Sequence, residues 1–124
     1  MLAAAALAAG PAPADETGKA EYMRACASCH GESGLGQGPI AEFLTIPVPG
    51  LNRLSAENDG AFPMLQVIQI IDGRTGVRSH GEPMPIWGDL FKTPLVGGMG
   101  DYGAEVIVRG RVLSIAYYLE SIQE

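Results

Sequence analysis

The chain contains only two cysteines, which are separated by two residues and followed directly by a histidine, as Cys26-Ala-Ser-Cys29-His30. Two side chains three positions apart lie on the same turn of a helix, so both thiols can reach one bound group. The adjacent imidazole is a common metal ligand. A chain of 124 residues has room for a single domain. That domain therefore has to be built around whatever these three side chains bind.

Covalent haem attachment accounts for all three side chains. The two thiols add to the two vinyl groups of one haem, and the imidazole of His30 coordinates the iron. Three other sites remain open at this point. A disulfide between Cys26 and Cys29 would leave His30 without a role. A zinc site would need His80 as a fourth ligand, and a thioredoxin-like pair would need a βαβ pattern that the sequence lacks.

The composition predicts a small core surrounded by long loops. There are 17 glycines and 9 prolines, yet 47% of the residues are apolar, which excludes a disordered chain. Fourteen acidic residues outnumber eight basic ones and give a net charge of -6. Only Lys19 and Lys92 are lysines, and no stretch combines basic with aromatic residues. A nucleic-acid partner is therefore not expected.

Two helices are predicted at the ends of the domain and one between them. Acidic and capping residues at 15–17 begin a helix that continues to about Ala27. A stripe of apolar residues indicates a C-terminal helix with Asp101 as its N-cap: Val108, Val112, Ile115, Leu119 and Ile122. Residues 55–59 form a helical turn, and 63–71 form a helix or, alternatively, a strand. Residues 74–100 show no periodicity and are expected to be irregular.

Residues 1–14 are interpreted as a signal-peptide remnant or a flexible arm, and residues 15–124 as one domain. A short Ala-rich apolar run leads to Ala12-Pro13-Ala14, an arrangement typical of secretory cleavage. The run is far shorter than the roughly 20 residues that span a bilayer, and no other stretch is long enough. The sequence therefore predicts export to the periplasm and no membrane span in the mature chain.

Several segments together resemble the class I c-type cytochromes, in particular the small bacterial members with one haem. The resemblance covers roughly residues 17–123 and rests on Gly18, Tyr22, Cys26-Ala-Ser-Cys29-His30-Gly31, Gly36-Gln-Gly38-Pro39, Ile71-Asp72-Gly73-Arg74, His80-Gly81, Met84-Pro85-Ile86-Trp87-Gly88 and Tyr117-Tyr118-Leu119. It implies an all-α cytochrome c fold around one haem c, attached through Cys26 and Cys29. It also implies that the N- and C-terminal helices cross near Gly18 and Tyr118.

The resemblance implies a methionine as the second axial ligand of the iron. The candidates are Met64, Met84 and Met99, with His80 as an alternative. Met84 is favoured because a proline on each side restricts the backbone that would hold a weak thioether ligand. Met64 on an apolar helix is better explained as core, and Met99 as a loop residue.

Further contacts to the haem are implied by the same resemblance. The carbonyl of Pro39 would accept the Nδ1 hydrogen of His30, unless Pro39 is only a turn residue. Trp87 would lie at the haem edge and donate to a propionate, or fill the core. Arg74 or Arg53 would pair with a propionate, unless both are solvated.

The function that follows is a soluble, monomeric electron carrier rather than an enzyme. It would take one electron from a donor such as a quinol-oxidising complex or a dehydrogenase and pass it to an acceptor such as a terminal oxidase. Because lysines are so few, the partner is expected to present a basic surface or to dock on apolar residues around Pro85, Ile86 and Phe91. The alternatives are a haem sensor or small haem enzyme with an open iron site, and the haem subunit of a periplasmic dehydrogenase or sulfur-oxidising complex.

Overall fold

The computed structural model describes residues 14–77 and 84–124, and every regular element within these ranges is helical. The helices are α1 (Ala14–Ala25), α2 (Ala27–His30), α3 (Met64–Asp72) and a long span, Trp87–Ser121. Gly100 interrupts that span with φ 72° and ψ 175°, so we treat residues 87–99 as α4 and 101–121 as α5. Two 3-10 turns, Ala41–Phe43 and Ala56–Asn58, lie in the loops. The all-α prediction is confirmed.

Helices α1 and α5 cross at Gly18, as the resemblance implied. A Cβ on Gly18 would overlap the backbone carbonyl oxygen of Ser114 and approach the Cβ of Tyr118 to 2.9 Å. One turn further along, the rings of Tyr22 and Tyr118 pack with centroids 5.1 Å apart. Glycine therefore lets the two backbones approach to a distance that no other residue permits.

The core lies between α1, α3 and the two C-terminal helices. Four residues of the predicted C-terminal stripe are buried, namely Val108, Val112, Ile115 and Leu119, while Ile122 is half-buried. Asp101 is the first residue of α5 rather than its N-cap, since the helical backbone is broken one residue earlier. Its carboxylate lies 3.3 Å from the amine of Lys92 on α4. No helix among the described residues is long and apolar enough to span a bilayer.

Helix α3 settles the choice between helix and strand at residues 63–71 in favour of a helix. Pro63 precedes its first residue, and Gly73 ends it in the left-handed conformation, with φ 71°. Val67 and Ile71 are buried, whereas Leu65 is 69% exposed. The helix therefore has one buried face, although the sequence is apolar nearly all round.

The expectation that residues 74–100 are irregular was wrong for its second half. Residues 87–99 are helical despite Pro94 and three glycines. Phe91 explains this difference because its side chain is only 4% exposed and packs in the core. Burial of a large aromatic side chain contributes about 2–3 kcal/mol, which offsets the poor helix propensity of the segment.

Replacing Gly18 by alanine should lower the free energy of unfolding by about 1–3 kcal/mol, because the new methyl group would push α1 away from α5. The matched control is Gly97→Ala, since Gly97 lies in α4 with no atom near its Cβ position. Alanine there should leave the stability unchanged or raise it by up to about 1 kcal/mol. Urea unfolding of the three proteins measures the difference, and equal midpoints would contradict the close crossing.

Candidate functional site

The Cys26–His30 motif forms a tight turn at the end of α1. The amide of Cys26 donates to the carbonyl of Tyr22 at 2.8 Å, and α2 follows at once as a single helical turn. Cys26 and His30 are buried, whereas Cys29 is half-buried. The hydroxyl of Tyr22 donates to the carbonyl of Gly31 at 2.6 Å and so joins α1 to the residue after the motif. The three side chains singled out in the sequence therefore lie at one rigid corner of the fold.

Residues 36–40 cover the carbonyl groups of this turn. The amides of Gly36, Gly38 and Ile40 donate to the carbonyls of His30, Cys29 and Ser28 at 2.7, 3.0 and 3.1 Å, respectively. A helix of four residues cannot satisfy these carbonyls itself. A Cβ on Gly38 would overlap the carbonyl oxygen of Ser28, so this close approach requires glycine.

The carbonyl that meets the ring of His30 belongs to Pro49, which corrects the assignment to Pro39. The Nδ1 atom of His30 lies 3.0 Å from the Pro49 oxygen. Since a carbonyl oxygen only accepts, Nδ1 carries the hydrogen, and in a neutral ring Nε2 carries the lone pair that a metal needs. A Cβ on Gly36 would overlap the carbonyl oxygen of Val48, so glycine at position 36 permits the close approach of residues 48 and 49. Residues 36–40, which include Pro39, instead donate hydrogen bonds to the backbone carbonyls of the turn.

Two adjoining cavities open beside the turn, and Met84 lines both of them. The outer cavity has a volume of about 700 Å³, including its open mouth, and is lined by Cys26, Cys29 and His30. The second cavity, called inner because helices α3 and α5 supply part of its wall, measures about 1320 Å³ on the same basis, is also open to solvent, and is lined by Cys26 and His30 as well. The structure therefore brings together the four side chains that were predicted to attach a haem and to ligate its iron.

The other walls of the cavities are mostly apolar. Pro47 and Pro49 line both cavities; the outer cavity adds Ile40, Leu44, Ile46 and Val48, and the inner one adds Leu51, Leu54, Val67, Ile70, Ile71, Ile115 and Leu119. Sequence reasoning missed the segment 44–51. Its dense prolines and apolar residues were the available signal, because a loop that is apolar must face something other than water.

The remaining candidate ligands do not meet at this site. Met64 packs against the core and lines neither cavity, in agreement with its interpretation as core. Met99 is 47% exposed at the end of α4, rather than in a loop as expected. His80 lies outside the described residues, so the zinc and bis-histidine alternatives that depend on it stay predictions.

Trp87 lines the outer cavity and stacks on Phe91, with ring centroids 5.4 Å apart. Its hydrogen bond to a propionate stays a prediction. Phe91, in contrast, cannot form part of a docking surface, because it is buried under the guanidinium of Arg111 at 3.8 Å from the ring centroid. Arg111 is held in turn by Glu21 of α1, at 2.8 Å.

The structure does not support the propionate-binding role that was predicted for Arg74. Its guanidinium binds the carboxylates of Asp72 and Glu105 at 2.7 and 2.8 Å, and it lines neither cavity. The assignment of Arg74 to a propionate is therefore corrected. Arg53 is exposed and lines neither cavity. Arg74 binds Asp72 because an arginine two residues after an aspartate can fold back on it.

The side chains of Cys26, Cys29, His30 and Met84 together fit a covalently bound haem. Cys26 and Cys29 are free thiols on one turn. Burial raises the pKa of the Cys26 thiol to about 12, so this sulfur is neutral at physiological pH. Addition of a thiol to a vinyl group of haem gives a thioether, and two thiols on one turn can reach both vinyl groups. An oriented imidazole, a thioether and apolar walls complete what a haem requires.

Replacing Gly38 by alanine should push residues 36–40 off the turn, because the methyl group would overlap the carbonyl of Ser28. We expect the yield of protein with covalently attached haem to fall severalfold and the free energy of unfolding to fall by about 1–3 kcal/mol. Gly50→Ala is the matched control, since the nearest atoms to its Cβ position lie at 3.5 Å. Haem staining and urea unfolding provide the measurements. Equal yields from the two variants would show that the close approach is dispensable.

Comparison with known proteins agrees with this geometry. The chain matches the family described as cytochrome c over residues 16–89, which include the Cys26–His30 motif, Met84 and Trp87. Searches of curated proteins and of solved structures find no match. The matched residues make up more than half of the 124. This chain therefore belongs to the cytochrome c family.

Proposed function

We propose that this cytochrome c carries single electrons between redox proteins, with His30 and Met84 as the axial ligands of one haem iron. The observation that carries the proposal is the position of Met84. Among the methionines that the structure describes, Met84 alone lines the cavities that hold Cys26 and His30. A histidine and a methionine leave no open iron position for a substrate, which favours electron transfer over catalysis.

The protein's own residues keep this site ready for electron transfer. The bound haem supplies a one-electron couple. Pro49 fixes the ring of His30 through the Nδ1 hydrogen, so the imidazole does not rotate when the charge of the site changes. Most of the wall of the inner cavity is apolar, with side chains such as Leu54, Val67 and Ile115, so few polar groups there would hold water against a bound haem. A site with fixed ligands and little water reorganises little, and a small reorganisation favours fast transfer.

We propose export to the periplasm, supported by the arrangement Ala12-Pro13-Ala14 that is typical of secretory cleavage. Cleavage there would leave Asp15, the second residue of α1, as the first residue of the mature chain. The mass of the haem-carrying protein recovered from the periplasm decides this. A mass that retains residues 1–14 would contradict cleavage at this position.

We propose that the redox partner docks on apolar residues beside the mouth of the outer cavity. Ile40 and Phe43 are 43% and 77% exposed, and Pro47 and Pro85 are exposed as well. Ile40, Pro47 and Pro85 line the outer cavity together with Cys29, and Phe43 lies in the 3-10 turn that packs against α2. With a net charge of -6, the chain as a whole attracts a basic partner more than an acidic one.

Replacing Met84 by alanine should convert the ferric protein to a high-spin form, remove the weak far-red methionine–iron band and lower the reduction potential. Met64→Leu and Met99→Leu are the matched controls, because neither side chain lines a cavity. Visible spectra and a potentiometric titration of the three variants provide the test. If the spectrum of Met84→Ala equals that of the wild type, Met84 is not the ligand, and another side chain, with His80 as the alternative predicted from the sequence, becomes the better hypothesis for the sixth ligand.

Removal of the exposed ring of Phe43 should slow electron uptake by about fivefold, which corresponds to about 1 kcal/mol of docking energy. Stopped-flow reduction by membranes that contain a quinol-oxidising complex measures the rate for Phe43→Ser. Tyr102→Ser is the control, because Tyr102 is 85% exposed on α5 and lines neither cavity. Equal effects of the two substitutions would contradict the proposed surface. A steep acceleration at low salt with an acidic-faced partner would contradict it as well.

A further inference from the structure

Arg74 lies between two carboxylates that come from different parts of the fold. Its Nε and one terminal nitrogen donate to Asp72 at 2.8 and 2.7 Å. The two terminal nitrogens donate to Glu105 on α5 at 2.8 and 3.1 Å. Four of the five guanidinium N–H groups are thus used in two bidentate pairs. Hydrogen bonds from Arg74 and then Arg109 lower the pKa of Glu105 to about 2, so the cluster stays ionised at physiological pH.

The same cluster joins two segments that flank Met84 in the sequence. A Cβ on Gly73 would lie 3.3 Å from the side chain of Ile86, so these residues are in contact. A Cβ on Gly88 would overlap Nε of Arg74 and approach the carboxylate of Asp72 to 2.7 Å. Both glycines are buried. Residues 72–74 and 86–88 therefore pack directly on one another, and Met84 precedes this junction by two residues.

We propose that Arg74 is a positioning residue for Met84, holding the segment that carries the axial methionine against α5. The inference rests on the proposed bond between Met84 and iron. A thioether is a neutral and weak ligand, so its occupancy depends on how much conformational freedom its segment loses on binding. Arg74 reduces that loss in advance, because it packs on Gly88 and its guanidinium also binds Glu105 on α5.

Replacement of Arg74 should therefore loosen Met84 without changing His30. Imidazole added to the ferric holoprotein competes with Met84 for the iron, and its affinity reports how firmly the methionine is held. For Arg74→Ala we expect imidazole to bind about tenfold more tightly than in the wild type, the scale seen when residues that support metal ligands are removed. Arg74→Lys should lie between the two, since a single ammonium cannot form two bidentate pairs.

Glu105→Gln provides an independent variant in case Arg74→Ala folds poorly, and it should shift the affinity in the same direction. Arg109→Ala is the matched control, because Arg109 also binds Glu105, at 2.9 Å, but its side chain is 76% exposed and does not touch the junction. Gly18→Ala controls for global stability, since it destabilises the fold at a distance from Met84. Neither control should change imidazole affinity.

Met84→Ala separates the two possible failures. If imidazole binds Met84→Ala no more tightly than the wild type, Met84 is not a ligand and the proposed function fails. If Met84→Ala binds imidazole tightly while Arg74→Ala and Glu105→Gln match the wild type, only the positioning role is wrong. A tenfold change in Gly18→Ala as well would show that the affinity follows general stability, which also overturns the role of Arg74.

Discussion

The contact between the Cys26–His30 turn and the loops that enclose it is the interaction on which the rest of the structure depends. The turn is too short to satisfy its own backbone, so residues 36–40 donate to its carbonyls. Pro49 then reaches the imidazole across the same loop region. These contacts place both cysteines and His30 on one wall of an apolar cleft. They also explain why the loops here are rich in glycine, since at Gly36 and Gly38 the backbones approach too closely for a Cβ.

The two proposed axial ligands are held by different means. His30 follows the cysteines directly, so its position is set by a single local turn and one carbonyl. Met84 lies in a segment far along the chain, and Ile86 and Gly88, which follow it, pack on residues 72–74. A weak ligand at a distant position depends on tertiary contacts more than a strong ligand beside its covalent anchors does. The proposed role of Arg74 follows from this asymmetry.

Features that depend on local sequence could be predicted, whereas those that depend on long-range contacts could not. The motif predicted the covalent site, periodicity predicted α1 and the buried stripe of α5, and Pro63 and Gly73 marked the ends of α3, although a strand stayed an alternative there. Helix α4 escaped prediction because burial of Phe91, a tertiary effect, outweighs Pro94 and the glycines. Pro49 was missed for a related reason, since nothing local shows which of two prolines a folded loop brings to a distant ring.

The visible spectrum of the holoprotein, recorded oxidised and reduced and with carbon monoxide added, tests the central claim most directly. The account predicts sharp reduced bands, a weak far-red methionine–iron band in the oxidised protein, and no response to carbon monoxide. These features belong to an iron that is held on both sides by side chains. A high-spin spectrum that shifts on addition of carbon monoxide would mean an open iron position. That result would contradict both Met84 ligation and the function as an electron carrier.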